Sequence, residues 1–491
     1  MMCKDKKGTT NMQISKREFL RKLGLGGAGL VGGAALADDF VKTKNRLPPG
    51  SVGDPDNVWF GKNIFPLDHT IEDVPSCFMK DGKIFQPARE IPVFHETDVV
   101  VVGGGPAGFA AAIAAARTGV KVALVERYGS LGGLFTNGMV LIMLCTSVRE
   151  DGKFRLMTDG ITREFAERAK ALGPYAYLES RVGETDRTAQ HWQPTVDPEA
   201  AKYLMDRMVE EEKIDMFFHC WGVDTVQDGN RVLGVVFESK QGRQAILAKQ
   251  VVDASGDGDV LFAAGGDYRQ ITHGIGHVVR LGNMDRITAT HPPKDADGNV
   301  KPGKWPMHSN EGNPSTWWGN SGTGPKGNGL DVRELTAAEI GFRKEWWEHV
   351  AAMRQEPGWE QVFIVGTCSQ IGPRVTRLVA AEAVVDRAAY RKGERPADVV
   401  GVFGEDGRHK APLYVPYRQL IPKGVENLLC AGRMLGAPDT CDTFRLICPC
   451  FVTGQAAGTA AALCAKRGVA PRELPYAELQ SVLRKANVCL G

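Results

Sequence analysis

The sequence predicts an α/β fold, and three stretches of its 491 residues predict it. In "VVVVGGGPAGFAAAIAAARTGVKVALVER" (Val99–Arg127) a β-branched run breaks at a glycine-rich turn, enters an alanine-rich helix and ends on a second apolar strand. "KQVVDASGDGD" (Lys249–Asp259) and "VENLLCAGR" (Val425–Arg433) are further apolar strands, each stopping at small residues. Continuous apolar strands alternating with helices mark a parallel sheet covered on both faces.

Each part of the first stretch has a physical reason. Val99–Val102 suits a strand buried on both faces; the helix is expected over Ala107–Thr118 and the second strand over Val122–Val125. Gly103 permits the tight turn, Gly105 lets the backbone approach a pyrophosphate, and Gly108 lets helix and strand pack closely. The helix start offers unpaired N–H groups to phosphates. Glu126, 18 residues past Gly108, is placed to accept hydrogen bonds from an adenosine ribose. The glycine pattern alone says little, since "GLGGAG" (Gly24–Gly29) also fits it with no strand before it. With strand, helix, strand and acid in order, Val99–Glu126 reads as a nucleotide site. "ERYGSLGGLFTNG" (Glu126–Gly138) adds a second glycine cluster after the ribose acid, as a longer ligand running back over the sheet needs.

Taken with "REIPVFHETDVVVVGGGPAG", "VVDASGDGD", "LTAAEIGFRKEWWEHV", "QIGPRVTR", "YVPYRQLIPKGVENLLCAGR" and "GQAAGTAAAL", the chain resembles the FAD-dependent oxidoreductases of glutathione-reductase-like fold from about Pro87 to its C-terminus. The resemblance implies a Rossmann-like FAD-binding domain with a β-meander crossover, an inserted α+β substrate domain, and resident FAD. It implies that Gly103, Gly105 and Gly108, with Pro106 and Ala107, hold the pyrophosphate. Glu126, with Arg127 beside it, would hold the adenosine ribose, and Gly132 and Gly133 would approach the ribityl chain and phosphates. Ala254, Ser255 and Gly256 would form the return turn. Gly432 and Arg433 would lie near the ribityl or pyrimidine end, with the helix entered at Gly454 pointing its N-terminus at the ring or phosphates. Arg433 stands where many related flavoproteins have Asp, and Val375 where the family usually has Glu.

Residues 1–37 read as an export signal: basic "SKREFLRK" (Ser15–Lys22), a weakly apolar glycine-rich run, then Ala35-Leu36-Ala37. They resemble a twin-arginine signal with Lys16-Arg17 for the two arginines, which predicts a periplasmic protein. Removing them takes away seven basic and two acidic residues, so the net charge moves from +2 to about −3, and nucleic acid is not an expected partner. No later segment is expected to be long and apolar enough to cross a membrane. Residues 38–86 are expected to be an N-terminal extension with little regular structure, and 87–266 the first part of the FAD-binding domain. Within it a helix is expected over Asp197–Lys213, and meander turns at Asp228-Gly229-Asn230 and Lys240-Gln241-Gly242. Residues 267–365 form the substrate or cap domain, with strand-like "GHVVRLGNMD" and a helix from about Thr336; residues 366–491 complete the FAD-binding domain.

A flavin supplies the reactive atom, so the protein must orient a substrate and manage a proton. The catalytic candidates are Arg445, for flavin or substrate-anion binding, then His409 as acid or base, and Arg418; Arg374 and Arg377 are further cations. His273 and His277 have helical metal spacing, but Gly274 and Gly276 argue against a helix and no third ligand is evident, so no metal is expected. Trp305, Trp317, Trp318, Trp346 and Trp347 could stack on sugars, which would make the substrate carbohydrate-derived. The eleven cysteines include no Cys-x-x-Cys, and Cys448 and Cys450 of "CPC" read as small apolar residues under a helix start. The chain reads as an exported FAD-dependent oxidoreductase that transfers hydride between FAD and a small organic substrate. Its electron partner is expected to be something other than NAD(P)H, because no second glycine-rich turn after a strand is visible. The alternatives are a flavin-linked thiol–disulfide enzyme and a non-catalytic nucleotide-binding protein.

Overall fold

The computed structural model describes residues 77–150, 153–179, 192–288, 307–310, 313–320, 326–404 and 412–491. They belong to two units, residues 1–90 and 91–491. In the first, Phe78–Lys80 (β1) and Lys83–Phe85 (β2) pair as a hairpin. Asp81 and Gly82 turn it at φ 51° and 72°, the positive values a two-residue primed turn needs. Phe78 and Phe85 stack across it at 5.6 Å. Of the expected extension over residues 38–86, residues 77–86 are described and contain this hairpin, for which the Asp-Gly pair between apolar runs is the sequence signal.

The second unit is built on a seven-stranded sheet. Val93–Val102 (β3) buries its last four residues and leads through the glycine turn into Pro106–Arg117 (α1). Val122–Val125 (β4) pairs parallel with β3. Next come Ile161–Ala171 (α2) and Pro198–Glu211 (α3), whose first turn is capped by Asp197 accepting from the Glu199 and Ala200 N–H groups. Asp215–Phe217 (β5) pairs parallel with β4. Trp221–Asp228 (β6), Arg231–Ser239 (β7) and Gly242–Asp253 (β8) run antiparallel, turning at Gly229 and Gly242, both at positive φ. The end of β8 lies between two parallel neighbours, β3 on one side and Leu428–Cys430 on the other. In register, Asp253 faces Val102 and Cys430, and Val102 faces Val125. Four strands therefore end on one line, and the turns that follow them cluster at the carboxyl edge, where open α/β sheets bind ligands.

A smaller four-stranded sheet contains Val278–Gly282 (β9), Thr316–Asn320 (β10) and Phe363–Thr367 (β11). Val332–Met353 (α4) shares with it a second core of Val279, Leu281, Phe342, Trp346, Val350 and Trp359. α4 starts a turn before the predicted Thr336 because Asp331 caps it, accepting from the Arg333 and Glu334 N–H groups at 2.8 and 3.0 Å. The expectation about segment length and polarity is corrected by the last long helix, Ile447–Arg467 (α5), which is long and apolar enough to cross a membrane, apolar because it is buried in the protein core. It lies against α1 so closely that a Cβ on Gly454 would stand 2.1 Å from the Ala107 oxygen, and one on Gly458 2.0 Å from that of Ala111.

Candidate active site

The turn after β3 contains glycines of two kinds. Gly103 has φ 98°, and a Cβ there would lie 2.4 Å from the Ala254 oxygen; a Cβ on Gly108 would lie 1.7 Å from the Gly103 oxygen. Both are demanded by the protein's own packing. Gly105 has an ordinary φ of −65°, and a Cβ there would meet no protein atom within 4 Å. Neither backbone nor packing requires that glycine, whereas a ligand lying on the backbone would. Pro106 opens α1 with no donor of its own and Gly105 supplies no side-chain cap, so the Ala107 and Gly108 end of the helix presents its dipole to the same space.

At one end of this space Glu126 is buried. Its Oε2 accepts from the Gly104 N–H at 2.6 Å and its Oε1 from the Tyr128 N–H at 2.8 Å. Burial raises its carboxyl above the usual range, and these backbone bonds oppose the rise. Each oxygen keeps a lone pair for a ribose hydroxyl. Arg127 lies 4.9 Å from the Tyr128 ring and 5.5 Å from the Trp221 ring. Trp221, 53% exposed, forms an open wall there with Cys220 and Gly222. The sequence reading did not single out this wall; the available signal was a tryptophan opening the strand after β5.

The return turn is organised by a residue the sequence reading did not single out. Asp253 is wholly buried; its Oδ1 accepts from both the N–H and the hydroxyl of Ser255 at 3.0 and 2.6 Å, and its Oδ2 from the Leu261 N–H at 2.9 Å. Both donors of Ser255 are thus engaged within the turn, so Ser255 shapes the cleft wall. Arg433 is drawn into the same turn, its Nε donating to the Gly256 oxygen at 2.9 Å and its Nη2 to Asp257 Oδ2 at 2.7 Å. Thr376 donates to the other Asp257 oxygen at 2.7 Å. Arg377 bonds the Asp257 carbonyl and the Asp259 carboxylate at 2.9 and 3.0 Å and acts as a brace.

The second glycine cluster lies on the first. Gly132 donates to the Gly104 oxygen at 2.8 Å, and a Cβ on Gly133 would stand 3.1 Å from Gly105 Cα. Beyond it the far end is closed by Leu134, Gln370, Gly432, Arg445, Ile447 and Cys450. Gln370 is 7% exposed, and its carbonyl oxygen has no hydrogen-bond partner among the described residues. Arg445 donates through Nε to Asp442 at 2.8 Å. Cys450 is buried, and burial pushes its thiol up to about 12. Cys448 is wholly enclosed; two residues apart on a helix, the pair points about 200° apart, so Cys448 and Cys450 do not both face the cleft.

Several expected site residues lie elsewhere. α5 begins at Ile447, two turns before Gly454, which seats the helix on α1 and lies outside the cleft. Gly108 and Gly132 also shape the turns from outside its lining. Arg418 is 58% exposed, paired with Asp398 at 3.0 Å, and stands away from the cleft. His409 and Trp305 fall outside the described residues. The aromatic platform is corrected: Trp318 and Trp346 are buried, while Trp347 faces outward at 72% exposure. His277 is enclosed, stacked on Phe342 at 5.4 Å; burial first, then Arg343, holds it down at about 4.

The cleft ends on the buried Glu126 carboxylate, passes an uncapped helix start and continues to a far end with an unsatisfied carboxamide oxygen. Those features fit a long dinucleotide. A segment of 49 residues is 57% identical to dihydrolipoyl dehydrogenase of Trypanosoma brucei brucei, covering 10% of each chain. Another of 162 residues is 28% identical to soluble pyridine nucleotide transhydrogenase of Chromohalobacter salexigens, covering 33% of this chain and 31% of the relative. The chain therefore spans from about a tenth to a third of the length of these curated relatives. Among solved structures, a geranylgeranyl bacteriochlorophyll reductase-like protein of Thermoplasma acidophilum is 13% identical, with a TM-score of 0.43 over 80% of this chain and 82% of that one. The family model for FAD dependent oxidoreductases matches residues 98–483. The chain belongs to that family, and is an enzyme whose cofactor is FAD.

Proposed function

We propose that this oxidoreductase is exported, works in the periplasm, and transfers a hydride between bound FAD and a small organic substrate. The observation that carries the reading is the far end of the cleft, where Gln370 and Arg445, the latter bonded to Asp442, border the space left beyond the glycine turns. Gly105, Ala107 and the start of α1 would hold the pyrophosphate, Glu126 the ribose, and Gly133, Gly432 and Gln370 the remainder, in the glutathione-reductase-like manner. Bound there, FAD supplies the hydride acceptor or donor. The protein encloses it, keeps Arg445 at its far end, and leaves residues 267–365 to cover the substrate.

Export is supported by the basic and glycine-rich residues 15–37. It favours an electron partner other than NAD(P)H: a quinone, a redox protein or a diffusible acceptor. The visible spectrum of the purified protein, repeated on the supernatant after acid precipitation, tests the reading. A two-band flavin spectrum that moves into the supernatant is expected. No flavin, even after incubation with FAD, overturns the whole reading; rapid flavin reduction by NADH overturns the choice of partner.

A further inference from the structure

The far end of the cleft contains a cation whose orientation is fixed by a chain of contacts. The His273 Nδ1 accepts from the Gly274 N–H at 2.7 Å. The neutral imidazole therefore carries its proton on Nε2, which lies 3.3 Å from Asp442 Oδ1. That same oxygen accepts from Arg445 Nε at 2.8 Å. Burial favours the neutral imidazole, lowering His273 below its usual value. Burial opposes ionisation of Asp442, but its bonds from Arg445 and His273 prevail and hold its carboxyl below the usual range. His273 and Asp442 thus act as a positioning pair, and they use one edge of the Arg445 guanidinium.

The other edge remains. Arg445 is 24% exposed in its side chain and forms part of the cleft wall. Among the described residues Asp442 is the partner of its Nε alone, leaving the two Nη groups as a planar fork. Asp442 is 59% exposed, so water screens its charge more than that of the arginine. Two neighbours add positive potential. α5 starts two residues later at Ile447, its N-cap Leu446 supplying no side-chain cap, and Arg374 is close enough that its pKa is lowered by burial first and by Arg445 second. A planar pair of donors matches the two oxygens of a carboxylate.

We infer that Arg445, held by Asp442 and His273, binds the carboxylate of an anionic organic substrate at the far end of the FAD cleft. This assignment rests on the oxidoreductase reading above and names the substrate class for that same site. The pyrophosphate of FAD has its own place at Gly105 and the start of α1, so the fork is available to a second molecule. Ile447 and Leu134 flank it with apolar surface, suited to the hydrocarbon part of an acid.

The test uses the FAD-loaded full chain, with benzoate and its neutral counterpart benzamide as probes and perturbation of the visible flavin bands as the readout. Benzoate is expected to give a saturable difference spectrum and benzamide none. Arg445→Gln is expected to raise the benzoate Kd by about tenfold or more, the scale of one charge-assisted pair, with an unchanged FAD content per chain. Arg445→Lys keeps the charge without the fork and should fall between. Asp442→Asn should weaken benzoate by a smaller factor while leaving FAD bound. Equal binding of benzoate and benzamide, no response to benzoate, or an unchanged Kd in Arg445→Gln would each overturn the assignment. So would loss of FAD from a folded Arg445→Gln protein, which would make the arginine a cofactor ligand. A wild-type chain without flavin instead removes the oxidoreductase reading on which the assignment rests.

Discussion

Gly105 and Gly108 stand three residues apart and answer to different forces, so the same kind of substitution separates them. Gly105→Ala places a Cβ that meets no protein atom within 4 Å and is expected to leave the melting temperature of the FAD-free protein unchanged while FAD affinity falls by about tenfold or more. Gly108→Ala places a Cβ 1.7 Å from the Gly103 oxygen and should cost about 2 kcal/mol of stability with or without cofactor. Thermal melts and flavin titration distinguish the two. Gln370 gives the converse case. Its buried carbonyl lacks a protein partner, so Gln370→Leu should stabilise the FAD-free form slightly and weaken FAD by roughly fivefold, about one hydrogen bond. Asp259 supplies the pH dependence. Burial first, then Asp257 and Asp253, raises its carboxyl from 3.8 to about 6. The native state keeps that proton where the unfolded chain has lost it, so stability falls as pH rises from about 4 to 6 and the loss is complete above. Asp259→Asn retains an oxygen for Arg377 and should remove on the order of 2 kcal/mol of that slope, measured by urea unfolding across the window.

At the scale of elements, the contact between α1 and α5 has no room for a side chain. Gly454 and Gly458 lie one turn apart on the face that touches Ala107 and Ala111. Gly454→Val is expected to destabilise the protein by about 3 kcal/mol and to lower flavin content only as far as the fold is lost. The sequence showed a small-residue helix here and suggested a ligand role for its first glycine; the physical demand is helix packing, which takes the same residue type. Local features were legible for a related reason. The β3 turn, Glu126 and the meander turns depend on neighbours in the chain. Asp257 meets Thr376 and Arg433 at separations of 119 and 176 residues, and no spacing rule foretells such a pairing. Trp221 and Gln370 entered the site in the same way, through the sheet.

The whole molecule gathers its cleft at the line where four parallel strands end. The α/β class and the turns that line the candidate cleft could be read because apolar strands and glycine turns are dictated locally. The substrate end could not, because it is assembled from residues near 273, 370 and 445, which no local rule connects. Export belongs to this scale too. With Arg17→Gln the protein is expected to stay in the cytoplasm with its flavin, and fractionation that still finds it in the periplasm would count against the twin-arginine reading.

The strand Leu428–Cys430 and helix α5 complete a sheet and a cleft begun by β3, more than three hundred residues earlier. A growing chain therefore carries its glycine turn long before it has a place for the ring. Yellow colour should appear late in synthesis, when α5 docks on α1, so bound flavin records that the last part of the polypeptide has folded onto the first.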